Sequence, residues 1–124
     1  MKTLLIIFFG GGLGSLLRYG VNRWIANHVT SVFPYGTFII NITGCFLIGF
    51  IVFYTERFGP NALNWRLFLV TGFCGGYTTF SSFAFENVQL MSDHHIFTVL
   101  LYTLGSIALG FAATYMGILL SRQI

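Results

Sequence analysis

Charge is what this chain has least of. Its 124 residues include six Lys or Arg and three Asp or Glu, so only 7% are charged. A soluble domain normally uses about 25% charged residues to cover its surface, and a water-soluble globular domain is therefore excluded. The net charge of +3 does not describe a nucleic-acid surface, because the basic residues are scattered over segment ends. No nucleic-acid partner is expected. Cysteine is equally sparse: Cys45 and Cys74 both lie in apolar sequence without CxxC or Cys/His spacing. They read as small buried residues rather than as a disulfide or metal site. There is no Ser/His/Asp set, since His28, His94 and His95 fall in connections. Acidic metal clusters, phosphate-binding loops and dinucleotide fingerprints are absent too, so no enzymatic activity is expected.

What the chain has in quantity is apolar surface: 56% hydrophobic and 19% aromatic residues, with a mean hydropathy of +0.82. This composition predicts an integral, all-α membrane protein with a single domain over residues 1–124. Four stretches reach the roughly 20 residues that a crossing takes: Leu4–Ala26, Gly36–Tyr54, Leu67–Leu90 and Ile96–Leu120. Trp24, Tyr35, Tyr54 and Trp65 stand at their ends, as interfacial anchors do. Lys2, Arg57, Arg66 and Arg122 share one side of such a four-span chain, with Arg23, and Arg18 if it reaches the interface, on the other. The positive-inside rule leans toward cytoplasmic termini, but the margin is small enough to permit insertion in both orientations. Gly10/Gly14, Gly72/Gly76, Ser106/Gly110 and Gly110/Thr114 have small-xxx-small spacing, which lets helix backbones approach closely. A four-helix subunit of this size barely encloses a pore, so self-association is expected.

The informative residues are those that are costly in lipid. Arg18 is either an anchor that snorkels to the interface or a cation at the mouth of an aqueous cavity. Asn41 needs a partner at membrane depth, and serves either as an interhelical hydrogen bond or as a neutral donor to a ligand. The third span contains Gly75-Gly76-Tyr77-Thr78-Thr79, a poor run for a helix interior. A kink is the plainer reading. If the helix opens, its freed carbonyls need side chains, water or a bound cation. Phe80 and Phe83, three apart, share a face if helix resumes after the break, and their positive ring edges suit a partly dehydrated anion. Tyr102 and Ser106, four apart, form a hydroxyl row on the last span. Glu86 is expected to be exposed at the end of the third span.

Three blocks carry a family resemblance: Gly10-Gly11-x-Leu13-Gly14-x-x-x-Arg18-Tyr19, Gly36-Thr37-x-x-x-Asn41-x-x-Gly44 and Gly72-Phe73-Cys74-Gly75-Gly76-x-Thr78-Thr79-Phe80-Ser81-x-Phe83. Together they resemble the Fluc (CrcB) family of microbial fluoride channels over all four spans. The resemblance implies passive, fluoride-selective efflux across the cytoplasmic (inner) membrane. It also implies an antiparallel, dual-topology homodimer with two separate pores, in which the third helix is broken. By the same resemblance Phe80 and Phe83 line each pore, Asn41 is the pore amide, and Arg18 is the vestibule arginine. Ser82, Tyr102 and Ser106 follow as hydroxyls of the pathway. The carbonyls of Gly75 and Thr78 are implied to hold a structural sodium ion at the dimer interface. One hydroxyl of the family pattern is replaced here by Gly110. Two other classes share features with this chain. A small proton-coupled multidrug exporter needs a carboxylate in its first span, and none is present. A non-transporting assembly factor explains the small-residue faces but not a hydroxyl-rich third span.

Overall fold

Every regular element is helical, the form in which an apolar segment satisfies its own backbone. The structure, a computed structural model, describes residues 1–124. Helix α1 is Lys2–His28 and α2 is Tyr35–Tyr54. A 3₁₀ turn over Thr55–Asn61 leads into the short α3, Ala62–Arg66, and then a π-helical stretch, Leu67–Cys74. One further helical turn, α4 (Gly75–Tyr77), precedes α5 (Phe80–Ser92), and α6 (Ile96–Gln123) closes the chain. Three helical stretches are long and apolar enough to cross a membrane: Lys2–His28, the 58-residue run Tyr35–Ser92, and Ile96–Gln123.

The long run turns at Gly59, whose φ of 53° and ψ of −126° suit a residue without a Cβ. Pro60 follows and prevents an ordinary helix from continuing. Beyond the turn Arg66 reaches back to the end of α2. Its Nη2 donates to the Val52 carbonyl at 2.8 Å and pairs with Glu56 at 3.0 Å. Arg57 Nη2 donates to the Ser121 carbonyl at 3.0 Å, near the end of α6. Both guanidiniums thus occupy carbonyls that helix ends leave without intrahelical partners.

Packing depends on glycine at the crossings. A Cβ on Gly10 would run into the Phe68 carbonyl, and one on Gly14 into the Phe73 carbonyl. Gly76 lies against Gly11, and Gly72 against Gly10. The small-residue faces of α1 and of the stretch from Leu67 to Tyr77 are therefore a single interface. On the other side of the molecule α2 packs along α6, with Gly49 against the Thr114 carbonyl and Gly117 against the Phe46 carbonyl. Only 17 of 124 residues are buried. The large exposed apolar surface, with Phe8, Phe97 and Phe111 on it, requires lipid or another protein surface to cover it.

Candidate functional site

The site starts from two extended residues between α4 and α5. Thr78 has φ −78° and ψ 159°, and Thr79 has φ −150° and ψ 116°. Extended backbone suits their β-branched side chains, and every hydrogen-bonding group released there meets a specific partner or none. The Thr79 N–H donates to Asn41 Oδ1 at 2.8 Å. In return Asn41 Nδ2 donates to the Thr79 carbonyl at 3.0 Å. The Ser82 N–H donates to Thr79 Oγ1 at 3.2 Å, so Thr79 caps α5 as Ser and Thr do at helix starts.

The Gly75 and Thr78 carbonyls are two of those that lose a helical partner across this break. In a continuous helix Thr79 N–H would close on the Gly75 carbonyl, and Ser82 N–H on the Thr78 carbonyl. Asn41 takes the first donor and the Thr79 hydroxyl takes the second. Thr78 turns its own N–H and hydroxyl to the Cys74 carbonyl, at 3.0 and 2.9 Å. The opening falls later than the glycines suggest: Gly75, Gly76 and Tyr77 are helical, and the two threonines are extended. The glycines serve close packing on α1 instead, because Gly76 abuts Gly11.

These residues border a cavity of about 520 Å³ that is lined by Asn41, Gly75, Thr78, Phe80, Phe83 and Ser106, with Cys45 and Cys74 beside them. The Phe80 and Phe83 rings lie 5.8 Å apart at 41°. Phe83 is half-buried and packs on Tyr102 at 4.9 Å, whereas Phe80 is 79% exposed. Ser106 Oγ is buried without a hydrogen-bond partner, a state that costs about 1–3 kcal/mol and leaves a donor ready for a ligand. Asn41 spends one of its two amide hydrogens on Thr79 and keeps the other. It is therefore an interhelical clamp with a neutral donor to spare.

Three residues of the expected pathway stand apart from this cavity. Ser82 turns to Thr79, whose Oγ1 lies 3.1 Å from its own. Arg18 is half-buried on α1 and forms no hydrogen bond or ion pair within the chain. Tyr102 is fully buried one turn beyond Ser106. Its hydroxyl donates to Glu86 Oε2 at 2.7 Å, and Thr37 Oγ1 donates to Glu86 Oε1 at 2.6 Å. Glu86 is thus not an exposed carboxylate at a helix end, as its position suggests, but part of a polar cluster between α2, α5 and α6. Its spacing carried the signal. Thr37 precedes Asn41 by four residues, Tyr102 precedes Ser106 by four, and Glu86 follows Phe83 by three, so each shares a helix face with a cavity residue.

Chemically, the site offers neutral N–H and O–H donors, aromatic edges and backbone carbonyls freed at Thr78–Thr79. No group of three or more His, Cys, Asp or Glu is placed to hold a metal ion. The backbone carbonyls of Gly75 and Thr78, both bordering the cavity, are hard oxygen donors rather than soft ones.

Comparison with known proteins agrees with this chemistry. The family model described as "CrcB-like protein, Camphor Resistance (CrcB)" matches residues 5–118. A fluoride-specific ion channel FluC of Flavobacterium psychrophilum is 44% identical over 124 residues, covering 100% of both chains. One of Solibacter usitatus is 47% identical, covering 99% of this chain and 100% of the relative. One of Coxiella burnetii is 43% identical, covering 98% and 99%.

Proposed function

The chain belongs to the CrcB family, and from that premise we infer that it is a multi-pass membrane channel for fluoride, not an enzyme. The observation that carries this reading is the grouping of Asn41, Phe80, Phe83 and Ser106 around one cavity. Fluoride is small and strongly hydrated, so a channel must replace its water with donors and positive ring edges. An amide, an unpartnered hydroxyl and two phenyl rings supply these without the deep trap of a fixed cation. Conduction needs binding that is favourable enough for entry and weak enough for exit.

The finer architecture follows from the same reading. Helix α1, helix α2, the run from Leu67 to Ser92 and helix α6 make four crossings, with the third broken at Thr78–Thr79. The subunit works as an antiparallel homodimer in the cytoplasmic membrane and carries two pores. The cavity opens on the subunit surface, and Phe80, 79% exposed in one chain, is covered by the second chain in this arrangement. The sparse, nearly balanced basic residues permit both orientations. Across a two-fold axis the Gly75 and Thr78 carbonyls of two subunits supply four hard oxygens. A structural sodium ion would be coordinated by these carbonyls and hold the two breaks together. Efflux is passive, because α1 offers no carboxylate to carry protons and the exporter reading lacks its central group.

Purified protein in liposomes, monitored with a fluoride electrode, should release fluoride down its gradient and reject chloride. Equal chloride flux, or a strict requirement for a proton gradient, would end the channel reading. The dimer is tested separately: a cysteine engineered at one terminus should label from both sides of the membrane. Replacing sodium with a large organic cation should loosen the dimer or abolish flux.

A further inference from the structure

A second cavity, of about 180 Å³, lies where the end of α1 meets the start of α2 and is lined by Asn22, Ser31, Tyr35, Thr37 and Glu86 among others. Its position follows from helix registers already described. Asn41, Phe83 and Ser106 border the larger cavity, and Thr37, Glu86 and Tyr102 lie one turn away on the same three helices. One helical turn is about 5.4 Å. At that level Tyr102 has none of its surface exposed, and Thr37 is 2% exposed. By helix register the Thr37–Glu86–Tyr102 cluster lies about one turn from the residues of the larger cavity, and Thr37 and Glu86 border the smaller one. Its hydrogen bonds thus form a plug at the level between the residues of the two.

The donors in the smaller chamber are specific. Both hydroxyls that face Glu86 are spent on its carboxylate, so a passing anion must find others. Ser31 Oγ accepts the Phe33 N–H at 3.2 Å and keeps its own hydrogen. Asn22 is half-buried and its side chain forms no hydrogen bond within the chain. A Cβ on Gly36 would strike Asn22 Oδ1, so the bare residue at the start of α2 is what leaves room for this amide.

We propose that the smaller chamber is the outer mouth of the fluoride route, and that Asn22 is the neutral donor that meets the ion between bulk water and the Thr37–Glu86–Tyr102 plug. The assignment rests on the channel reading above. An amide suits the task for the same reason as at Asn41, since it replaces hydration without fixing a counter-charge. The chamber is wide enough for several waters, each of which takes about 30 Å³ in the liquid, so the ion is still partly hydrated there.

The test is fluoride efflux from liposomes for Asn22→Leu and Asn22→Gln beside the parent protein. Asn22→Leu should slow efflux by about tenfold through the lost donor, with unchanged thermal stability, while Asn22→Gln retains most of the flux. Parental flux in Asn22→Leu would overturn the proposal. Should Asn22→Leu fail to fold, Ser31→Cys answers the same question on folded protein. Attaching an anionic methanethiosulfonate to the purified variant should cut its flux well below that of identically treated parent, and reduction should restore it. Complete labelling, verified by mass, with flux equal to the treated parent would sink the proposal. Failure of the parent itself to pass fluoride would strike the channel reading rather than the mouth.

Discussion

Tyr102 gives its hydroxyl to Glu86 at 2.7 Å from a position with no exposed surface. The carboxylate holds a second hydroxyl, that of Thr37, at 2.6 Å. A hydrogen bond to a charged group contributes about 1.5–3 kcal/mol, so the pair makes Glu86 tolerable among Phe33, Phe38 and Phe83, all of which pack on Tyr102. Tyr102→Phe and Thr37→Val should each lower the melting temperature in detergent. Combining them should cost less than the sum, because both act on one carboxylate. Strict additivity in a double-mutant cycle would show that the two bonds are independent.

Asn41 holds Thr79 by both ends of its amide. Asn41→Asp keeps an acceptor for the Thr79 N–H but sets a negative charge against the Thr79 carbonyl and removes the spare donor. Fluoride flux should fall by well over tenfold, which corresponds to more than about 1.4 kcal/mol. Asn41→Leu leaves two buried backbone groups unpaired, at about 1–3 kcal/mol each, and should lose folded protein as well. Size-exclusion profiles and liposome flux on the same preparations separate the two outcomes.

The glycines of α1 divide by what surrounds them. Gly14→Ala would drive a methyl into the Phe73 carbonyl and the Tyr77 amide nitrogen, and backbone cannot step aside as a flexible side chain does. Overpacking of this kind costs about 1–3 kcal/mol. Gly12→Ala meets nothing within 4 Å in the subunit and should be tolerated. Comparable yields of monodisperse Gly14→Ala and Gly12→Ala protein would contradict the packing described here.

Phe80 and Phe83 should separate function from folding. Phe80 is 79% exposed, so Phe80→Ile should leave the stability of the subunit fold nearly unchanged while lowering flux. Phe83 packs on Tyr102 with ring centres 4.9 Å apart, and Phe83→Ile should reduce both. Thermal unfolding and fluoride efflux, measured on each variant, decide the matter.

Much of this was legible in the chain. Scarce charge and long apolar stretches gave membrane-spanning helices, and the spacing of Phe80 and Phe83 put two rings together. The run Gly75–Thr79 marks a poor helix interior but does not say which of its residues leave the helix; Gly75, Gly76 and Tyr77 are helical, and Thr78 and Thr79 are extended. The opening lies at Thr78–Thr79 because the amide that captures Thr79 comes from Asn41, 38 residues away, and no local propensity contains that information. Glu86 was misread for the same reason. Its hydroxyl partners lie 49 and 16 residues away, so an ionisable group that looks solvent-bound in sequence is half-buried and hydrogen-bonded to α2 and α6. The π-helical stretch over Leu67–Cys74 left no pattern that distinguishes it from ordinary apolar helix.

Because Asn41 supplies the bond that Gly75 gives up, the opening between α4 and α5 cannot precede the arrival of α2. A lone third segment entering the bilayer would expose unpaired peptide groups, each costing several kcal/mol in hydrocarbon. Such a segment is most stable as a straight, fully bonded helix. In energetic terms, the segment trades its own hydrogen bonds for those of Asn41 only where α2 lies beside it. The extended pair Thr78–Thr79 is therefore a tertiary feature, which the segment does not hold on its own.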